Sequence, residues 1–408
     1  EEAKQRELNS GLRIFSQLSL ISNNKPSFFF FKGLKTLGKR VEILTGFLIL
    51  FLRFIMKEYH IDKAFKSRWE KKMLDWYSIN KRDLPWRRKE NKNFYRIWIS
   101  EIMLQQTQVS VVIPYYNRFM LKWPTLESFY NAKLEEILFL WQGMGYYKRA
   151  ENLYKAKELL KTKKNITVNY QSLLEIPGIG DYTSSAISAI LNDDRCTVVD
   201  GNIKRIFTRV FKLNKIDNLY DKNIRSISTY LTPKKKNGNY CQSLMDLANS
   251  VCKVRNPECK ICPVEDLCLS KGFKLILRKS KKTKNKIAVA FIISYRDNFL
   301  VEKNSKKLLK NLFCFPLSES KDIAKNFTES EFFHETVNEW LKIKKLKVSY
   351  KFAGKVIHKF SHFQLKVLVV RLNLNSKIVF NNFYWLTKRE LNDKPVSKLM
   401  LKIKEMVE

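Results

Sequence analysis

Acidic residues are scarce in this 408-residue chain: 39 Asp and Glu stand against 77 Lys and Arg, a formal net charge of +38 at pH 7. That imbalance argues for a polyanionic partner, nucleic acid before a membrane surface, because the summed field concentrates phosphates. The Lys-, Asn-, Ile- and Phe-rich composition of an AT-rich genome accounts for part of the excess. Long apolar runs are also missing from the first 56 residues, where the most apolar uncharged stretch, Ile43–Leu52, has ten residues. A bilayer-spanning helix needs about twenty, so no membrane partner is expected. No internal repeat is visible. The seven Cys do not form an even disulfide framework, and four of them fall between 252 and 268. A reducing, cytoplasmic setting with a metal site follows more naturally than secretion.

What is present organises the chain into parts. Its 45% hydrophobic content supports two or three packed domains. Residues 1–56 carry apolar runs, "KPSFFFFKGLK" and "ILTGFLILFLRFIM", among basic residues. They read as an N-terminal extension of open status: a short anchor, a transit-like segment, or a stretch ahead of a fold starting near Met56. From 57 to 269, apolar residues recur at helical spacing, which predicts an all-α domain of short helices. Residues 270–286 hold eight Lys or Arg and no acid, a basic linker. From 287 to 408, "IAVAFIISY", "NFLVEK" and "LKVLVVRLNL" read as strands and "SEFFHETVNEWLK" as a helix, giving a small α+β domain.

Cys252, Cys259, Cys262 and Cys268 have the spacing C-x6-C-x2-C-x5-C. Four thiolates so placed suit tetrahedral zinc or a [4Fe-4S] cube. The six- and five-residue gaps favour the larger object, since zinc sites commonly use two C-x2-C pairs. Cys196, Cys241 and Cys314 lie outside the spacing and read as buried small hydrophobes.

In "LLEIPGIGDYTSSAI" (173–187), Pro177, Gly178 and Gly180 make a tight turn that opens a helix, where backbone N–H groups hold an anion. The stretch lacks the G-x-x-x-x-G-K-[ST] pattern and a preceding strand, so it is no nucleotide loop. A nucleic acid phosphate fits it better. Downstream, "VVDGNIKR" is a strand-like stretch delivering Asp200 into a Gly-containing turn; alone, such an Asp is usually a turn residue or helix cap. Glu101 lies in the apolar helix "WISEIML", where an acid is costly unless exposed or held neutral.

Taken in order, "LPWR" (84–87), "WISEIMLQQTQV" (98–109), "LWQGMGYYKRAENL" (140–153), "IPGIGDYT" (176–183), "VDGNIKR" (199–205), "LMDLANSVC" (244–252) and the four Cys resemble the helix-hairpin-helix DNA glycosylases of the endonuclease III superfamily, and within it the adenine glycosylase (MutY) family. The resemblance implies a monomer that flips adenine out of double-stranded DNA containing A:8-oxoguanine or A:G mispairs. It assigns the wedge to Gln105 and Tyr146, phosphate binding to Pro177, Gly178 and Gly180, and the adenine pocket to Arg82, Leu84, Trp86 and Arg87. Glu101 becomes the acid at adenine N7, Asp200 the ionised partner of an oxocarbenium-like state, and Asn202 an orienter. Bifunctional relatives carry Lys at the position of Tyr182. A phenol forms no Schiff base, so a monofunctional enzyme that leaves an abasic site is expected. The cysteine loop is expected to hold a [4Fe-4S] cluster.

"LLKNLFCFPL" (308–317) and "HKFSHFQL" (358–365) resemble the family's Nudix-like C-terminal domain, with Phe360, Ser361 and His362 as the loop that reads 8-oxoguanine. The metal-holding G-x5-E-x7-R-E-x-x-E-E box is not supplied by "TESEFFHETVNEWLK". Ala248, where the family commonly has Gly, and Cys241, where Asn is expected, depart from the pattern. His60 and His334 match nothing in it. Two rivals remain at this level: an endonuclease III-like glycosylase/lyase, and a catalytically idle damage-binding protein.

Overall fold

Helix α2, Phe94–Leu104, shows why this chain builds its centre from short helices. The Asn93 side chain caps it by accepting from Arg96 N at 3.0 Å. Tyr95, Ile97, Trp98, Ile99, Ile102 and Met103 are all buried, so the helix is enclosed on nearly every side. Each fully buried side chain of this kind contributes about 1.5–3 kcal/mol. The computed structural model describes Tyr59 and residues 61–163, 166–271, 284–305, 310–323, 328–360, 363–379 and 382–407. Residues 1–56 and most of the basic linker lie outside these.

The helical part starts with α1 (Lys63–Asn80), followed by α2, α3 (Val109–Lys122), α4 (Leu126–Tyr130), α5 (Leu134–Leu140), α6 (Lys148–Thr162), α7 (Tyr170–Leu174), α8 (Asp181–Asn192), α9 (Gly201–Val210), α10 (Tyr220–Leu231) and α11 (Asn237–Ser250). One apolar core runs through α2, α3, α5 and α6 with Phe129 and Trp141 at its centre. On α8 all the buried residues but Ile187 are small: Thr183, Ser184, Ser185, Ala186, Ser188 and Ala189. They admit α11, which comes so close that a Cβ on Gly238 would meet Ala189 O at 2.7 Å. Across the molecule α1 joins α11 through Trp69 Nε1, which donates to Tyr240 OH at 2.9 Å. Residues 198–199, at the head of "VVDGNIKR", correct one expectation. They form no strand, because no strand exists among the described residues of 61–271 to pair with them.

The C-terminal part is a seven-stranded mixed sheet. Its strands are β1 (Lys284–Tyr295), β2 (Asn298–Lys303), β3 (Phe313–Cys314), β4 (Lys321–Asp322), β5 (Tyr350–Lys359), β6 (Phe363–Asn373) and β7 (Phe383–Thr387). The main order is β3-β2-β1-β6-β5, with β4 on β1 and β7 on β2. Strands β1 and β6 run parallel, in register from Lys284 opposite Phe363 to Ser294 opposite Asn373, and the other pairs are antiparallel. Helix α12 (Glu329–Ile343) covers one face through Phe332, Phe333, Val337 and Leu341 against Ile287, Val289, Phe291 and Ile293. Helices α13 (Lys388–Asn392) and α14 (Lys398–Lys404) cover the other through Leu391, Leu399, Met400 and Ile403 against Ala288, Ala290 and Ile292. Coverage on both faces explains the unbroken apolar run of β1.

Candidate active site

A cleft of about 960 Å³ opens between α2, the α7–α8 hairpin, the N-terminus of α9 and α11. Its lining brings together Arg82, Leu84, Trp86, Arg87, Glu101, Gln105, Gly178, Gly180, Tyr182, Asp200 and Asn202, residues drawn from more than a hundred positions of sequence. Pro177, Tyr146 and the cysteine loop are not part of this lining.

Glu101 reaches the cleft from the apolar helix α2. Burial pushes its carboxyl up to about 7; the Asp200 carboxylate adds to the rise and the Arg87 guanidinium opposes it. Tyr182, on the first turn of α8, is driven well above the usual phenol range by burial and next by Glu101, so it stays a neutral hydroxyl. The buried Cys241 thiol is likewise pushed up by burial, with Glu101 as the next cause.

Asp200 is the N-cap of α9 as well as a wall of the cleft. Its Oδ1 accepts from Asn202 N at 2.9 Å and Ile203 N at 2.8 Å, and its Oδ2 from Asn202 Nδ2 at 2.9 Å. Asn202 Oδ1 accepts from Arg205 Nη1 at 2.9 Å, and Arg205 Nε and Nη2 donate to Cys252 O at 3.0 Å and Ala248 O at 2.8 Å. The carboxylate is thus fixed in orientation by a chain of bonds that ends on the first Cys of the loop.

Arg82 and Arg87 share one partner that sequence reading passed over. Asp246, with none of its surface exposed, accepts from Arg82 Nε at 2.7 Å and from Arg87 Nη1 and Nη2 at 2.7 and 2.9 Å. Burial raises its carboxyl, but the two guanidiniums outweigh this and hold it below the usual range. The signal was a lone Asp in the apolar stretch "LMDLA"; an unpaired acid there would be prohibitively costly.

The two wedge candidates meet through another missed residue. Gln105 ends α2 and its Nε2 donates to Gly178 O and Thr183 Oγ1, both at 3.2 Å, which ties it to the hairpin. Tyr146 is 48% exposed and holds a left-handed φ of 48° directly after Gly145, two residues beyond Gly143. The buried Arg149 guanidinium donates to Gln105 O at 2.6 Å, Met103 O at 2.7 Å and Gly145 O at 3.3 Å, and lies 5.4 Å from the Tyr146 ring. Burial lowers its pKa to about 10, still fully charged at neutral pH. In the hairpin, Gly178 has φ of 88°, and a Cβ there would meet Asn152 Cβ at 2.8 Å; both the turn and the close approach require glycine.

Cys252, Cys259, Cys262 and Cys268 line one small cavity with Ile206, Val210, Leu247 and Val251. Arg209 fastens this loop: its Nη1 donates to Cys252 Sγ at 3.1 Å and Lys253 O at 2.7 Å, and its Nη2 to Val254 O at 3.1 Å. The four Cys thus share an apolar wall with a cation at one sulfur, but among the described residues no three His, Cys, Asp or Glu are grouped so as to hold a metal ion. Outside this spacing Cys241 and Cys314 are buried, whereas Cys196 is half-exposed, contrary to the expectation of a buried residue.

In the C-terminal sheet Phe360 follows β5. Its N donates to Phe363 O at 2.8 Å and its ring stacks on Phe363 at 4.6 Å. Ser361 and His362 lie outside the described residues.

Residues 99–233 match the family described as HhH-GPD superfamily base excision DNA repair protein, and residues 288–406 match the NUDIX domain. The chain is 35% identical over 354 residues to the adenine DNA glycosylase of Buchnera aphidicola subsp. Schizaphis graminum, covering 80% of this chain and 96% of that protein. Against the adenine DNA glycosylase of Buchnera aphidicola subsp. Acyrthosiphon pisum it is 36% identical over 324 residues, 76% of this chain and 88% of the relative. A solved thermostable thymine-DNA glycosylase aligns with a TM-score of 0.47 at 26% identity, covering 52% of this chain and 99% of that one. With these relatives matched over nearly their full length and the helical and Nudix-like parts in the family's order, the chain belongs to the adenine DNA glycosylase family of the HhH-GPD superfamily.

Proposed function

We propose that the protein removes adenine mispaired with 8-oxoguanine or guanine in double-stranded DNA, by hydrolysis and without cutting the strand, as a monomer in the bacterial cytoplasm. The observation that carries this reading is the pairing, in one cleft, of a carboxyl raised to about 7 on Glu101 with the amide-bonded carboxylate of Asp200. One can hold a proton at neutral pH and the other an anion, the division of labour that cleavage through an oxocarbenium-like state requires.

In this reading Glu101 gives its proton to adenine N7 as the N-glycosidic bond breaks, converting the base into a neutral leaving group. Asp200 stabilises the sugar cation or bonds to it, and Asn202 keeps the carboxylate turned toward C1′. Water then completes the exchange, with Glu101 in its deprotonated form as the base. Tyr182 supplies a hydroxyl beside both carboxyls and no amine, which favours hydrolysis over β-elimination. Arg82, Leu84, Trp86 and Arg87 wall the adenine pocket, Gln105 and Tyr146 wedge the stack, and Pro177, Gly178 and Gly180 hold a backbone phosphate. Phe360, Ser361 and His362 read the opposite base. Cys252, Cys259, Cys262 and Cys268 would hold a [4Fe-4S] cluster, which supplies a covalent cross-link of the loop beside α9 and a redox-capable centre.

Chromatography of free base tests the reading: single-turnover incubation with duplexes carrying a 14C-labelled adenine opposite 8-oxoguanine, G or T. Adenine released in that order of rate supports it. Equal release from all three, or release of an oxidised pyrimidine instead, overturns it.

A further inference from the structure

The contact between the two parts of the molecule falls on the loop that presents Tyr146. Val396 N donates to Gln142 Oε1 at 3.0 Å, and the Tyr147 hydroxyl donates to Val396 O at 3.4 Å while accepting from Gly143 N at 3.2 Å. Lys394 Nζ meets Glu135 Oε1 at 2.8 Å, and Asn311 Nδ2 donates to Glu151 Oε1 at 3.2 Å. Leu312, 1% exposed, inserts into the helical core. Segments 311–313 and 394–396 are themselves joined, since Phe313 N donates to Pro395 O at 2.8 Å. They form one foot, planted on both flanks of residues 142–147.

The other end of the path reaches the opposite-base loop. Ser397, next after Val396, is the N-cap of α14. Near the far end of that helix Lys402 Nζ donates to Ile357 O on β5, the strand that leads into Phe360. One short helix therefore has its N-terminus bonded in sequence to the clamp on the wedge loop and its C-terminal half bonded to the strand carrying Phe360. The loop it holds stores a conformation that needs holding: Gly143, Gly145 and Tyr146 have φ of 91°, 81° and 48°. For Tyr146 the left-handed conformation is disfavoured without support.

We infer that α14 and the Val396 clamp form a strut that couples the Phe360 end of the C-terminal domain to the Tyr146 loop, so that reading the opposite base sets the wedge. Gln142 and Tyr147 are its positioning residues on the helical side. By linkage, the coupling acts as a free energy shared between the two ends, and such couplings change affinities roughly 5- to 150-fold. The inference rests on the adenine-glycosylase reading for its rate consequence, but not for its structural one.

The test uses the full chain and its Gln142→Ala, Tyr147→Phe and double variants. Amide hydrogen exchange by mass spectrometry is read over 142–147 in the free protein, and single-turnover adenine release is read from A:8-oxoguanine and A:G duplexes. The strut predicts faster exchange confined to 142–147 with Tm within about 3 °C of the parent. It also predicts that the rate ratio of the two duplexes falls at least about fivefold, mainly through slower release opposite 8-oxoguanine. Unchanged exchange over 142–147, or equal loss on both duplexes with the ratio preserved, overturns the inference. A parent protein that releases no adenine from either duplex overturns the functional reading instead, and the exchange result then decides the strut alone.

Discussion

Asn202 Nδ2 donates to Asp200 Oδ2 at 2.9 Å while the same residue's backbone N donates to Asp200 Oδ1, also at 2.9 Å. Two groups of one residue thus grip both oxygens of one carboxylate, and Arg205 locks the Asn202 amide from behind. Asn202→Ala removes the side-chain half of this grip and leaves the helix cap intact. The expected outcome is a loss of about tenfold or more in the single-turnover rate, equivalent to about 1.4 kcal/mol of barrier, with thermal unfolding nearly unchanged. Rate and Tm measured on the same preparation separate this from simple destabilisation.

Glu101 is raised by burial to about 7, and the sign of the consequence is fixed. As a proton donor it is active when protonated, so the excision rate falls with the protonated fraction as pH rises through about 7. The folded state also holds this proton more tightly than the unfolded chain. The stability contributed is therefore complete below the unfolded value and is lost as pH rises toward the folded one. Glu101→Gln should abolish excision by at least about a hundredfold and raise Tm relative to the parent at pH 8. A pH–rate profile and paired melting curves check both halves.

Asp246 should be the most damaging single charge to remove. Asp246→Asn leaves the partly exposed Arg82 and Arg87 beside a neutral amide, and because only the acid is fully buried the loss falls below the roughly 3–5 kcal/mol of a fully buried broken pair. Urea unfolding should show a lowered midpoint, and the proposed adenine pocket, losing its fixed guanidiniums, should show raised KM for the mispaired duplex.

The cysteine loop predicts composition. Protein purified without oxygen should carry four iron and four acid-labile sulfides per chain, in keeping with a [4Fe-4S] cluster, and Arg209→Ala should speed their loss to a chelator. One zinc per chain and no sulfide would refute the assignment.

Much of this was legible because the informative residues sit in local contexts that betray them. Glu101 in an apolar helix, the Pro177–Gly180 turn opening α8, and the spacing from Cys252 to Cys268 each reveal themselves within twenty residues of sequence. Long-range pairing does not. Asp246 meets Arg82 across 164 positions and Val396 meets Gln142 across 254, and no periodicity records such partners. The parallel pairing of β1 with β6 is hidden for the same reason. The stretch ending at Asp200 misled because apolar residues with β-branching look like a strand, while its conformation is dictated by the cap that Asp200 makes on α9.

The central claim is removal of adenine by a carboxyl pair without strand cutting. A duplex bearing A opposite 8-oxoguanine, incubated with the protein and then divided, one half treated with hot alkali, tests it most directly. The account predicts strand cleavage in the alkali-treated half alone, and none in either half with Glu101→Gln. Cleavage before alkali in the parent would contradict it, because it would require the amine chemistry that Tyr182 does not offer.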